Sequence, residues 1–221
     1  MNQAQLLILN QLKDRTYRLY EGLKDLEDDV LKDTKTLLEQ LQHAFANENF
    51  VVLDTETTGL YDGEIIEIAI LDHNGMTLMD QRIKPHGDIP IKSTNVHGIT
   101  IDMLEDCPHF EDVVVTIKGH LAGKDVIVYN ATYDRKMLHK SAEYAGIDKV
   151  NWKSFSNWIC AMEAFSPIYG EWNGRYGNFR WQKLITAASY YGISLAHAHS
   201  ALGDCLMTLE VVRNMIKGDT E

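Results

Sequence analysis

Cysteine is scarce in this 221-residue chain: Cys107, Cys160 and Cys205 are the three present, odd in number and far apart. That pattern excludes a disulfide framework or a cysteine-built zinc site and fits a reduced, cytoplasmic setting. No run of about 18 apolar residues occurs, which excludes a helical membrane span. The opening "MNQAQLLILNQLKDR" lacks the basic start and small-residue cleavage site of a secretion signal. Positive charge is also in short supply, with 21 Lys and Arg against 32 Asp and Glu, a formal net charge of −11. Such a surface argues against broad, non-specific binding to duplex phosphate. It leaves room for a nucleic acid held at one end through bound metal, part of the negative count then serving as ligands. Internal repeats and low-complexity segments are absent as well.

What is present is an ordinary globular composition, 45% hydrophobic and 24% charged, enough for one sizeable core plus an appendage. Residues 5–45 contain no proline and read as helix. Leu12, Leu19 and Leu26 recur every seventh position, as do Leu23, Val30 and Leu37; Asp33 interrupts the first series and Gly22 weakens the middle. Two readings follow: an amphipathic helix or helical hairpin packed on the main domain, or a short coiled coil forming a homodimer or docking a protein partner. The division expected is a helical extension over 1–47 and a main domain over 48–218.

From residue 50 the pattern changes. The stretches 50–54, 64–72 and 76–83 read as strands separated by the turn signals "YDG" and "HNG". A loop follows at "PHGDIP", helix over about 110–121, strand over 125–130 ending at Asn130, and a helix closed by Gly146. A fifth strand is expected around 156–160, helix over 161–169, loop over 170–179, helix over 181–191 and a last helix over about 200–217. A three-strand meander followed by alternating helices and strands predicts an α/β fold, a mixed five-stranded sheet with helices on both faces.

The chemistry begins in "FVVLDTETTGL", Phe50 to Leu60. Strand alternation puts Asp54 and Glu56 on one face, side by side and mutually repelling. Like charges that close raise each other's pKa unless something positive intervenes, and a divalent cation is the usual answer. Asp134, in "YNATYD", falls in the first turn of a helix just after a strand's C-terminal end, where α/β sites form. The third segment is "HSALGD". On an ideal helix His199 and Asp204 point about 140° apart, so both face one cleft only if His199 precedes the regular helix, with Ser200 as its N-cap. Asp204 also lies off the apolar stripe of Leu202, Leu206 and Leu209.

Taken together and in this order, these segments resemble the DnaQ-like, DEDDh-type 3′–5′ exonucleases of the ribonuclease H-like superfamily. The matching residues are Asp54 to Leu60, Asn130 to Asp134 and His199 to Asp204, with Val96-His97-Gly98-Ile99-Thr100 matching a further family segment; the resemblance covers about 48–218. It implies two Mg²⁺ or Mn²⁺ ions bound by Asp54, Glu56, Asp134 and Asp204, with His199 as general base. An all-oxygen ligand set suits such hard cations. The expected substrate is a DNA 3′ end, single-stranded or frayed, cut to nucleoside 5′-monophosphates, with RNA as the alternative. "DTETTGL" is more similar to the DNA-directed branch. Thr57, Thr58, Gly59 and Leu60 are expected to meet the terminal nucleotide, His97 its sugar or phosphate, and Asn130 the substrate or water. No acidic residue occurs from Trp172 to Gly203. Arg175, Arg180 and Lys183 lie there beside Trp172, Tyr176, Phe179 and Trp181, a combination suited to single-strand contact, although Trp181 can equally be core.

Overall fold

The structure, a computed structural model, describes residues 35–148, 150–196 and 199–218, together with Thr16, Lys24 and Asp33. Within them a helix, α1 (35–47), leads into β1 (Phe50–Thr57), β2 (Ile65–Asp72) and β3 (Thr77–Arg82). Then come α2 (Ile91–His97), α3 (Phe110–Leu121), β4 (Asp125–Val128), α4 (Ala131–Tyr144), β5 (Asn157–Cys160) and α5 (Ala161–Tyr169). A two-residue hairpin, β6 (Trp172–Asn173) and β7 (Asn178–Phe179), precedes α6 (Leu184–Tyr190) and α7 (Ala201–Gly218).

The main sheet runs β3-β2-β1-β4-β5. β1, β2 and β3 pair antiparallel, while β4 lies parallel to both β1 and β5. Val51, Val52 and Leu53 are all solvent-free, as is nearly every residue of β2. A strand buried on successive residues has both faces covered, which is why these segments read as continuous apolar runs rather than as alternation. α4 packs on the sheet and on α3, and α7 lies across β1 and β2 while packing on α6. Full burial of a Leu, Ile or Val side chain stabilises by about 1.5–3 kcal/mol. The core is concentrated under β1, which carries Asp54 and Glu56, and its neighbour β2.

α1 adds Leu38, Leu41 and Ala44 to that same core, with Leu37 partly buried against it. Leu12, Leu19, Leu23, Leu26 and Val30 lie outside the described residues.

Four boundaries differ from expectation. β1 continues through Thr57, so Asp54 and Glu56 sit within the strand, still paired across to β2. β4 stops at Val128, and Asn130 is the N-cap position of α4, its carbonyl accepting from the Tyr133 and Asp134 amides. The expected loop over 170–179 contains the β6–β7 hairpin, where Trp172 meets Phe179 edge to face at 5.1 Å. The helix expected over 181–191 starts at Leu184, because Lys183 is extended and takes the N-cap position. α4 is followed as expected by Gly146 in the left-handed region, φ 65°.

Candidate active site

Three elements bring the acidic residues together. β1 supplies Asp54 and Glu56, the first turn of α4 supplies Asp134, and the first turn of α7 supplies Asp204. All four line one cavity of about 200 Å³, together with Thr55, Tyr129, Asn130, Tyr133, Leu184 and His199. One oxygen from each of Asp54, Glu56 and Asp204 lies within 4.8 Å of the other two.

Local structure explains the convergence. Ser200 caps α7 by accepting from the Gly203 amide at 3.2 Å. His199 therefore stands outside the regular helix, in the left-handed region at φ 69°. A non-glycine residue there is uncommon, and such backbone clusters at functional sites. The exposed His199 donates its backbone N–H to Asp204 Oδ1 at 3.2 Å, so the two residues share one cavity despite their helical offset.

Burial and mutual repulsion dominate the electrostatics. Asp54 is raised well above the ordinary carboxylate value, first by burial, then by Asp134, Asp204, Glu56 and Glu67. Glu56 is pushed up to about 8 by burial, Asp204, Glu67 and Asp134. Asp134 is raised by burial to about 7, although the Thr55 hydroxyl donates to its Oδ1 at 2.8 Å and pulls the other way. Burial also raises Asp204, against the pull of the His199 amide and side chain. An all-oxygen donor set in which carboxylates repel one another fits a hard divalent cation.

The loop after β1 is held by threonine hydroxyls and by its backbone. Thr57 hydrogen-bonds the Tyr133 hydroxyl at 2.6 Å, and Thr58 exchanges two bonds with Glu64, amide to carbonyl and Glu64 amide to Thr58 hydroxyl, each 2.9 Å. Gly59 lies against Gly63, where a Cβ would overlap the Gly59 carbonyl oxygen and amide nitrogen. Leu60 projects outward, 70% exposed.

His97 lies outside the cavity lining. Its Nδ1 accepts from the Ile99 amide at 3.0 Å, and its shielded Nε2 meets no hydrogen-bond partner of good geometry. Burial lowers the ring's pKa, with Glu67 and the Thr57 carbonyl pulling the other way. Arg175, Arg180 and Lys183 are exposed and outside the cavity. Arg175 lies over the Tyr176 ring, and Arg180 pairs with Glu171, just before the acid-free stretch, at 3.3 Å. Trp181 is 67% exposed rather than core.

Sequence reasoning missed Tyr129, Tyr133, Thr55, Leu184 and Glu67. Tyr133 sits inside the second motif, and its spacing from Asp134 was visible. Tyr129 donates to the Gln182 carbonyl at 2.9 Å, tying the cavity wall to the segment before α6. Glu67 is buried opposite Glu56 in the β1–β2 register. It accepts from the Ala201 amide at 2.9 Å and pairs with Arg82 at 3.4 Å, fixing the start of α7 against the sheet. Only the register reveals it, since directly opposed strand residues share a face.

Comparison with known proteins follows this geometry. The family model RNase_T, described as exonuclease, matches residues 51–212. An uncharacterized exonuclease, CP81 of Escherichia phage 186, is 33% identical over 189 residues, covering 84% of this chain and 97% of the phage protein. The PolC-type DNA polymerase III of Thermotoga maritima is 34% identical over 120 residues, 51% of this chain but 9% of the polymerase. Among solved structures, Exonuclease X in complex with 5′ overhanging duplex DNA is similar with a TM-score of 0.58 at 23% identity, covering 78% of this chain and 93% of that one. The nuclease domain of 3′hExo, a DEDDh family member bound to rAMP, reaches 0.61 at 15% identity, covering 77% and 92%. At these identities the solved structures speak for the fold, which is ribonuclease H-like. No helix among the described residues is long and apolar enough to cross a membrane.

Proposed function

The chain belongs to the RNase_T family of exonucleases, and on that premise we propose that it is a metal-dependent 3′–5′ exodeoxyribonuclease. It removes nucleoside 5′-monophosphates from single-stranded or frayed 3′ ends. The observation that carries this reading is the convergence of four carboxylates, Asp134 buried and the others partly so, from three distant chain segments on one small cavity with His199 at its wall.

Asp54, Glu56, Asp134 and Asp204 are the residues that would hold two Mg²⁺ or Mn²⁺ ions. Such a pair supplies charge stabilisation to both the attacking and the leaving oxygen of an in-line phosphoryl displacement. His199 takes the proton of the attacking water, a task suited to an imidazole near neutral pH. Its backbone bond to Asp204 orients it there. Thr57, Thr58 and Gly59 present main chain to the terminal nucleotide, and Leu60 presses on the last base. Asn130 and the Tyr133 hydroxyl border the cleft. His97 is carried as a sugar or phosphate contact on the family resemblance alone, since its Nδ1 accepts from the Ile99 amide and its Nε2 is shielded. Arg175, Arg180 and Lys183 follow the phosphates of the entering strand, with Trp181 as a stacking face.

Oligomers of DNA and of RNA, labelled at either end and incubated with protein and Mg²⁺, test polarity and sugar preference together. Mononucleotide release from 3′-labelled DNA is expected. Release first from the 5′ end overturns the reading, and faster loss of RNA transfers it to the ribonucleotide substrate.

A further inference from the structure

A second cluster lies away from the acidic cavity. The loop after β3 carries His86, and the start of α3 carries His109 and Glu111; one donor atom from each lies within 4.8 Å of the others. Both rings are anchored through Nδ1. His86 Nδ1 lies 3.0 Å from Glu64 Oε2, and His109 Nδ1 lies 3.0 Å from the Lys84 carbonyl oxygen. A carbonyl only accepts, which assigns the His109 proton to Nδ1. Glu64 is a buried carboxylate that also accepts the His86 and Gly87 amides, each at 2.8 Å, so it assigns the same tautomer to His86.

In neutral rings of that tautomer both Nε2 atoms carry bare lone pairs. His86 Nε2 faces Glu111 Oε1 at 3.3 Å. Two acceptors at that distance need a cation, either a proton or a metal ion. A proton on His86 alone is the competing cation, favoured by Glu64 and Glu111 on either side of the ring; a second proton on His109, its ring centroid 4.9 Å away, would set two like charges against each other. One metal ion would engage both neutral rings and the carboxylate at once. Donation of the remote ring N–H to a carboxylate or carbonyl is how metal-bound histidines are usually oriented, and here both rings are held that way.

We propose that His86, His109 and Glu111 form a second metal site, separate from the acidic cavity, for a borderline transition-metal ion such as Zn²⁺. Imidazole ligands select that class, whereas Mg²⁺ favours oxygen donors. The site uses none of the three cysteines. Its role is structural: Glu64, which orients His86, also exchanges two backbone-anchored bonds with Thr58. An ion here ties the loop after β3 and the start of α3 to the loop that follows β1.

The test titrates the full chain with Zn²⁺ in saturating Mg²⁺, with bound metal measured after dialysis and thermal melting followed in parallel. One tightly held Zn²⁺ per chain is expected, with a raised melting temperature. Glu111→Gln and His109→Gln should each weaken Zn²⁺ binding by at least about 10-fold, since even loss of an outer partner usually costs 10–100-fold. The exposed Glu111 variant keeps the test intact if the His109 variant fails to fold. Asp54→Ala should retain the Zn²⁺. Absence of bound Zn²⁺, equal affinity in the ligand variants, or loss of Zn²⁺ in Asp54→Ala would overturn the proposal. So would a His86 ring whose NMR pH titration is unaffected by Zn²⁺, since a proton alone would then bridge it to Glu111.

Discussion

Two carboxylate settings, one partly buried and one buried, lie on either side of the β1–β2 connection. Asp54 and Glu56 lie near the end of β1, while Glu64 immediately precedes β2, and the two settings are opposite in kind. Glu64 accepts the His86 and Gly87 amides and the His86 ring. Every influence on Asp54 and Glu56 pushes against their charge. A buried carboxylate with its donors in place is architecture; a pair such as Asp54 and Glu56, raised by burial and by neighbouring carboxylates, suits a cation instead. The partners separate the two.

The largest expected effect comes from breaking the repelling group. Asp54→Ala should abolish nucleotide release from 3′-labelled DNA, and the metal-free variant should melt at a higher temperature, because one like charge is gone. An active variant would remove Asp54 from the proposed chemistry. Next in size is His199→Ala. Cleavage should fall by about 10²–10⁴-fold, while Mn²⁺ affinity measured by calorimetry stays near that of the parent. Equal loss of both would make His199 part of the cation site instead.

Glu64→Gln sharpens the contrast from the other side. It leaves buried donors poorly matched and should lower stability in denaturant melts by about 1–3 kcal/mol. That sign is opposite to the one expected for Asp54→Ala, and two shifts of the same sign would erase the distinction. The smallest effect is on pH. Glu56 is raised to about 8 and Asp134 to about 7. A carboxyl raised in the folded state contributes stability that is full below its unfolded pKa and is lost as pH climbs through the folded value. The metal-free melting temperature should therefore fall between roughly pH 4 and 8, and saturating Mn²⁺ should flatten the slope. A metal-free protein that grows steadier across that window would contradict the repulsion.

Much of the fold was legible because both faces of the sheet are covered. Runs such as "FVVLD" and "EIIEIAILD" announce strands without needing partners. α2 was not foreseen, and the reason is physical: it buries none of its residues, so it leaves no apolar period to read. The β6–β7 hairpin, with two-residue strands, was too short to leave one either. The acidic residues announced themselves through spacing within three short motifs. Glu67 did not, since its place beside Glu56 depends on which residue of β2 faces which residue of β1. Arg180 looked like an unattached cation in an acid-free stretch, but its partner Glu171 stands one position before that stretch begins.

The contact of Gly59 with Gly63 carries a consequence for variation of this enzyme. Where two stretches of main chain touch with nothing between them, shape depends on one hydrogen atom not becoming a methyl. A substitution at the exposed Leu60 would change the loop's surface while sparing the mould, whereas the mildest change at Gly63 would recast it.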